Sequence, residues 1–175
     1  MIRKLKLAEL GRLSVEDFKS SEKSELILVL DNIRSFHNTG SVFRSADAFR
    51  VKKIFLCGYT PVPPHREIHK TAIGAEDAVE WEYQKEIDMS LLQLKSDGWK
   101  IIAVEHTEHS ILLPEFSWNK KEKLVLIFGN EVEGVQEKAL ALCDAAIEIP
   151  QFGTKHSLNV SVAAGVVLYG LVCGK

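Results

Sequence analysis

Five short apolar runs punctuate this chain of 175 residues: Leu26-Ile-Leu-Val-Leu30, Lys53-Ile-Phe-Leu-Cys57, Lys100-Ile-Ile-Ala-Val104, Leu124-Val-Leu-Ile-Phe128 and Ala146-Ile-Glu-Ile149. Each has the length and β-branched content of a strand buried on both faces, as in a parallel sheet. Helical patterns fill the intervals, at about 39–49, 87–97, 134–142 and 158–172. Strands alternating with helices predict an α/β domain, a mostly parallel sheet flanked by helices. The polar residues 1–25, with Leu5, Leu7, Leu10 and Leu13 in a helical stripe, read as a short N-terminal extension ahead of one domain over 26–175.

Composition excludes several classes. With 46% hydrophobic residues and a net charge of -2, the chain can build a core and is not disordered. A broadly basic nucleic-acid surface is excluded as well, though a local basic patch is not. Cys57, Cys143 and Cys173 are scattered and odd in number, with neither metal spacing nor a disulfide framework. The basic N-terminus lacks the apolar run of a signal peptide. The apolar stretch from Val160 to Cys173 is shorter than the ~20 residues that span a bilayer. A reduced, cytoplasmic protein with no membrane partner is expected.

In open α/β sheets ligands bind beyond the carboxyl ends of the strands. That rule singles out the segments 31–40, 105–109, 129–134 and 150–157, which are rich in Gly, Asn, Ser and charge. No GxGxxG follows the first strand, and neither GxxxxGK[ST] nor GxSxG occurs. His65 and His69, and His106 and His109, are spaced to share a helix face, but without HExxH or a Cys partner no metal site is expected. Gly129 and Gly134 flank a turn where backbone can approach a ligand, or simply a tight turn into a helix. Ser157 is placed to cap the last helix, where free N–H groups suit an anion. Arg44, in a small and apolar segment, either grips a phosphate or pairs with Asp47 at i,i+3.

Three blocks in order carry a resemblance. Asn38-Thr-Gly-Ser-Val-Phe-Arg44-Ser-Ala-Asp-Ala-Phe49, Leu126-Ile-Phe-Gly129-Asn-Glu131-Val-Glu-Gly134-Val and Ile149-Pro-Gln-Phe-Gly153-Thr-Lys-His-Ser157-Leu158-Asn159-Val-Ser-Val-Ala are similar to the three motifs of the SpoU/TrmH family of RNA 2'-O-methyltransferases. The similarity spans roughly residues 26–172. It implies a SPOUT-type fold with a C-terminal deep trefoil knot and S-adenosylmethionine as cofactor, with no metal. It implies a cofactor pocket built by Gly129, Ile149 and Leu158, mainly through backbone, and completed by Glu105 or its neighbours. Asn38, Arg44, Glu131, Ser157 and Asn159 match the family's catalytic and RNA-contacting positions. Gln151 departs from the pattern, since many members carry Met there.

The resemblance implies methylation of a ribose 2'-OH, whose proton must leave as the methyl group arrives in line. A guanidinium is not deprotonated in proteins, so Arg44 is expected to grip an RNA phosphate and stabilise the alkoxide. Gly98-Trp-Lys-Ile-Ile-Ala-Val-Glu-His-Thr107 and Ile149-Pro-Gln151 are similar to members that methylate the D-loop guanosine of tRNA. That substrate is expected, with the tRNA wobble nucleotide or ribosomal RNA as alternatives, or an inactive SPOUT-like RNA-binding protein. Arg3, Lys4, Lys6 and Arg12, with Lys52, Lys53, His65, Arg66, His69 and Lys70, are expected to form a patch that tracks the RNA backbone. The last helix is apolar on nearly all sides and must be buried all round, which predicts a homodimer.

Overall fold

The computed structural model describes residues 2–174. The apolar runs form β1 (Leu26–Asp31), β2 (Lys53–Cys57), β4 (Lys100–Val104), β6 (Leu124–Phe128) and β7 (Ala145–Glu148), joined by β3 (Glu80–Gln84) and β5 (Ile111–Leu112). They make one seven-stranded sheet in the order β3-β2-β1-β6-β4-β7-β5, with every pairing parallel. All six residues of β1 and all five of β6 are buried, as the absence of polar alternation requires.

Alternate residues feed two cores. Leu26, Leu28, Leu30, Leu124, Leu126 and Phe128 face α2 (Phe36–Ala48), α3 (Arg66–Ala72) and α7 (Val160–Cys173). Ile27, Val29, Val125 and Ile127 face α5 (Ile87–Ser96) and the short α6 (Glu137–Leu140). The result is three layers, helix on sheet on helix. Among the described residues no helix is long and apolar enough to cross a membrane.

Several elements differ from the sequence expectation. The helix expected at 134–142 shrinks to α6, because residues 129–136 are held in a site loop described below. The helix expected at 158–172 starts at Val160, and Asn159 rather than Ser157 caps it: its Oδ1 accepts from the N–H groups of Ser161 (2.9 Å) and Val162 (3.4 Å). In the N-terminal extension, α1 (Val15–Ser20) starts at the Ser14 cap and lays Phe18 into the first core. Leu5, Leu10 and Leu13 are exposed, so the expected leucine stripe is not a packing face; the Leu7 side chain lies outside the described residues. The four-residue α4 (Ala75–Ala78) follows α3 and leads into β3.

β3 escapes the apolar-run criterion because it is an edge strand. Its Glu80 and Glu82 carboxylates lie 3.1 and 2.7 Å from the Lys53 Nζ of β2. Charge on an edge discourages pairing with other chains.

Candidate active site

A cleft of about 520 Å³ opens over the carboxyl ends of β6, β4 and β7. Gly129, Glu131 and Gly134 line it from the loop after β6; Glu105 and His106 from the turn after β4; Ile149, Gln151, Ser157, Leu158 and Asn159 from the segment between β7 and α7. Seven of the nine expected site residues therefore share one cleft.

The loop after β6 is fixed from inside. Asn130, 7% exposed, donates through Nδ2 to the Asn32 carbonyl (2.7 Å) and the Tyr59 hydroxyl (2.6 Å). Its Oδ1 accepts from the N–H groups of Val132 (2.8 Å) and Glu133 (3.0 Å). The main chain closes on itself at Asn130 and Gly134 (2.9 and 3.0 Å). Gly134 has φ +71°, and a Cβ there would strike the Glu105 carboxylate; a Cβ on Gly129 would strike the backbone of Gly134 and Val135. Both carboxylate oxygens of Glu105 accept main-chain N–H groups, from His106 (2.9 Å) and Val135 (3.0 Å). Glu105 thus lines the cleft and braces its loop.

With the inner face anchored, Glu131 points outward to Asn38, which ties the three sequence blocks together. Glu131 Oε2 accepts from the Arg34 N–H (3.0 Å) and its Oε1 from Asn38 Nδ2 (2.8 Å). Asn38 Oδ1 in turn accepts from Asn159 Nδ2 (3.0 Å). Burial pushes the Glu131 carboxyl up, but the N–H of Arg34, the Asn38 amide and further backbone donors outweigh it and hold it below the usual carboxylate range.

Arg44 is not part of this constellation. It is exposed on α2, six residues beyond Asn38, in a separate hollow beside Arg12, Asp47 and Arg50. Six residues advance a helix by ~9 Å and turn it by ~240°, about a third of a turn the short way round, so the two side chains leave different faces. The alternative partner, Asp47, does not bond to it: among the described residues Arg44 forms no ion pair.

The expected basic patch is split: Arg12 shares a hollow with Arg44 and Arg50, and several of the other charges are paired. Lys52 and Lys53 stand at the amino end of β2, away from the cleft, and bridge to Glu25, Glu80 and Glu82. Lys70 pairs with Glu67 and Arg3 with Glu9. His65 stacks on Phe36 with ring centroids 4.0 Å apart, and His69 Nδ1 lies 2.6 Å from Glu76. A larger hollow of about 820 Å³ lies beside Lys52 and Trp81, at the amino ends of the strands, where lysines and carboxylates balance.

Three sets of contacts went unrecognised in the sequence. Asp31 is fully buried at the end of β1 and accepts from the Gln136 N–H (2.9 Å) and side-chain amide; burial pushes its carboxyl up. Asn130 is the buried anchor already described. At the far end of the cleft, His106 and Gln151 contact each other. Gln151 stood out in the sequence by departing from the family pattern and His106 by its spacing to His109, but the partners of all three had no advance sign beyond a place after a strand. Cys57, next to Asp31, is no nucleophile, since burial and that carboxylate push its thiol up to about 12.

A polar constellation at the mouth of a cleft over parallel strand ends defines an α/β enzyme site. Residues 25–169 match the SpoU rRNA Methylase family, and the chain belongs to it. It is 32% identical over 153 residues to a tRNA (guanosine(18)-2'-O)-methyltransferase of Aquifex aeolicus, covering 84% of this chain and 68% of the relative. It is 33% identical over 143 residues to the 23S rRNA (guanosine-2'-O-)-methyltransferase RlmB of Neisseria meningitidis serogroup B, covering 82% of this chain and 56% of that one. Among solved structures, an AdoMet-bound rRNA methyltransferase from Sinorhizobium meliloti superposes with a TM-score of 0.78 at 26% identity, over 91% of this chain and 60% of that one. The chain thus spans 56–69% of the length of the ribosomal RNA relatives it matches.

Proposed function

We propose that this protein is an S-adenosylmethionine-dependent RNA ribose 2'-O-methyltransferase whose substrate is tRNA, at the D-loop guanosine. The observation that carries the reading is the Glu131–Asn38–Asn159 chain, which unites the three family motifs at one lip of the cleft. The substrate choice leans on the stretches around Gly98–Thr107 and Ile149–Gln151, and on the tRNA-modifying relative.

The cleft fits the cofactor. Its volume falls in the range of small-molecule sites, and it offers both backbone and the half-open apolar side chain of Leu158. Gly129, Ile149 and Leu158 would hold the cofactor, with Glu105 bracing the floor. When bound, S-adenosylmethionine supplies an electrophilic methyl group. The chain's own residues do the rest: Asn38, Glu131, Ser157 and Asn159 orient the ribose at the lip, and Glu131, kept ionised by its donors, is an acceptor for hydroxyl hydrogens. Arg44 grips the neighbouring phosphate, which takes the 2'-OH proton as the methyl group bonds to that oxygen, and stabilises the developing alkoxide.

Arg44 reaches that role from a second chain. Val162, Val166 and Tyr169, at i, i+4 and i+7 on α7, remain 51%, 39% and 63% exposed. This apolar stripe adjoins α2, with Phe49 and Tyr169 in edge contact and Ser45 beside Gly165. A homodimer through α2 and α7 covers the stripe and carries Arg44 toward the partner's cleft. We assign residues 1–25 as an extension bearing part of the RNA contact surface, notably Arg12, and 26–175 as the methyltransferase domain. The deep trefoil knot belongs to the same reading: the segment after β7 passes from beside β4 back to α2, where α7 docks. The enzyme works in the cytoplasm, where tRNA is processed.

The test is methylation of a tRNA pool by the full chain with labelled cofactor, followed by nuclease mapping. A single 2'-O-methylguanosine in the D loop is expected. Label confined to ribosomal RNA or to the wobble nucleotide refutes the substrate; cofactor binding with no label on any RNA favours the inactive RNA-binding protein.

A further inference from the structure

Gln151 breaks the family pattern, and the structure gives it a fixed orientation. His106 Nδ1 lies 3.1 Å from Glu148 Oε2, which also accepts from Ser110 Oγ at 2.6 Å. The hydroxyl of Ser110 and the imidazole of His106 hold the Glu148 carboxyl below the usual range, so it is an acceptor only. His106 must therefore donate from Nδ1, and in that tautomer Nε2 is the ring's acceptor. Gln151 Nε2 stands 3.2 Å from that atom, so the carboxamide donates to it. A relay of Ser110, Glu148 and His106 thus dictates which way the amide of Gln151 points. Its Oε1, with no partner among the described residues, is left as an acceptor at the wall of the cleft.

The position of this acceptor limits what it can read. Glu131 follows β6 and is bonded to the chain just after β1, while His106 follows β4 and Glu148 ends β7. Across the order β1-β6-β4-β7 the two pairs are two strand spacings apart, roughly 10 Å. The catalytic constellation occupies one end and the Gln151 relay the other, about the length of an extended nucleoside. With the reacting end of the cofactor at Glu131, its base lies toward Gln151.

We infer that Gln151 is a specificity-determining residue whose Oε1 accepts a hydrogen bond from the exocyclic amine of the cofactor's purine, with His106 and Glu148 as positioning residues. The inference rests on the proposed cofactor site and adds to it a side chain that distinguishes an amino-purine from its 6-oxo counterpart.

The probes are S-adenosylhomocysteine and S-inosylhomocysteine, which differ by replacement of the amine with a carbonyl, measured by calorimetry on the full chain. Wild type should prefer the adenosine compound by about tenfold or more, since the inosine carbonyl faces Oε1 and leaves it unpaired. Gln151→Ala should lower that preference about tenfold. His106→Ala should erode the preference while S-adenosylhomocysteine still binds within a few fold, because a freed carboxamide can turn its N–H₂ toward the inosine oxygen. Rescue by rotation separates positioning from mere support of the fold. If wild type binds S-adenosylhomocysteine but Gln151→Ala keeps the full preference, or His106→Ala does, the assignment is overturned while the cofactor site stands. If wild type binds neither compound, the cofactor reading fails and takes this inference with it.

Discussion

Replacing Asn130 by Ala removes the anchor of the catalytic loop without touching any group at its outer lip. Four hydrogen bonds disappear: two that Nδ2 donates, to Asn32 and Tyr59, and two that Oδ1 accepts, from Val132 and Glu133. At a net ~1 kcal/mol each, partly recovered where water reaches the loop, the cost is about 3 kcal/mol. For a chain of this length that lowers the melting temperature by roughly 6–12 °C. Asn130→Asp keeps Oδ1 for the two backbone donors and lets Tyr59 donate instead of accept. It sets a carboxylate oxygen against the Asn32 carbonyl, so about half the loss should remain. Thermal unfolding followed by circular dichroism reads the stability, and calorimetry with S-adenosylhomocysteine reads the cleft. Cofactor affinity should fall in both variants, more in Ala. An Asn130→Ala protein melting within 2 °C of wild type with unchanged affinity would refute the claim that this buried amide holds the loop in shape.

Arg44→Ala should abolish methyl transfer while cofactor affinity stays within a few fold, since Arg44 lies outside the cleft; single-turnover assays beside calorimetry separate the two. Glu131 has a carboxyl held below its ordinary 4.5, so it stabilises the fold above that pH and the contribution fades as the pH falls through its lowered value. Denaturant titrations of Glu131→Gln should accordingly lose less stability than wild type on acidification, and an equal acid loss would contradict the assignment. Val166→Glu places a charge in the exposed α7 stripe and should yield a folded monomer by light scattering, with transfer activity lost alongside the dimer.

What the sequence made legible follows from how each signal arises. β1, β2, β4 and β6 announce themselves because a strand buried on both faces must be apolar throughout, and their bounds were legible to within a residue. β3 does not, because an edge strand is allowed Glu80 and Glu82 once Lys53 neutralises them. β5, two residues long, has no periodicity to read. At the site, the residues after the strands were expected in one place and line one cleft. The cap of α7 moved from Ser157 to Asn159, a shift of two residues that local composition does not resolve, since both types cap well. Pairings such as His106 with Gln151, or Asp31 with Gln136, join residues 45 and 105 positions apart. No local pattern encodes them, and they exist only once β4 and β7, or β1 and the loop after β6, have been brought side by side.

In the proposed dimer one helix serves two sites. α2 runs from Ser35, whose Oγ caps it by accepting from the Asn38 N–H at 3.2 Å, to Phe49 at the edge of α7. Its first turn is bound into the cleft of its own chain through Asn38. Six residues on, another face of the helix presents Arg44 to solvent, in the hollow it shares with Arg12 and Asp47. Side-chain rotation cannot bring the two together across the width of a helix. The proposed function needs both groups at one ribose, and in the proposed dimer the second comes from a neighbour. The exposed Val162, Val166 and Tyr169 would supply the apolar area for that contact. On that reading pairing and catalysis are one requirement, because the contact that covers the stripe would also deliver Arg44.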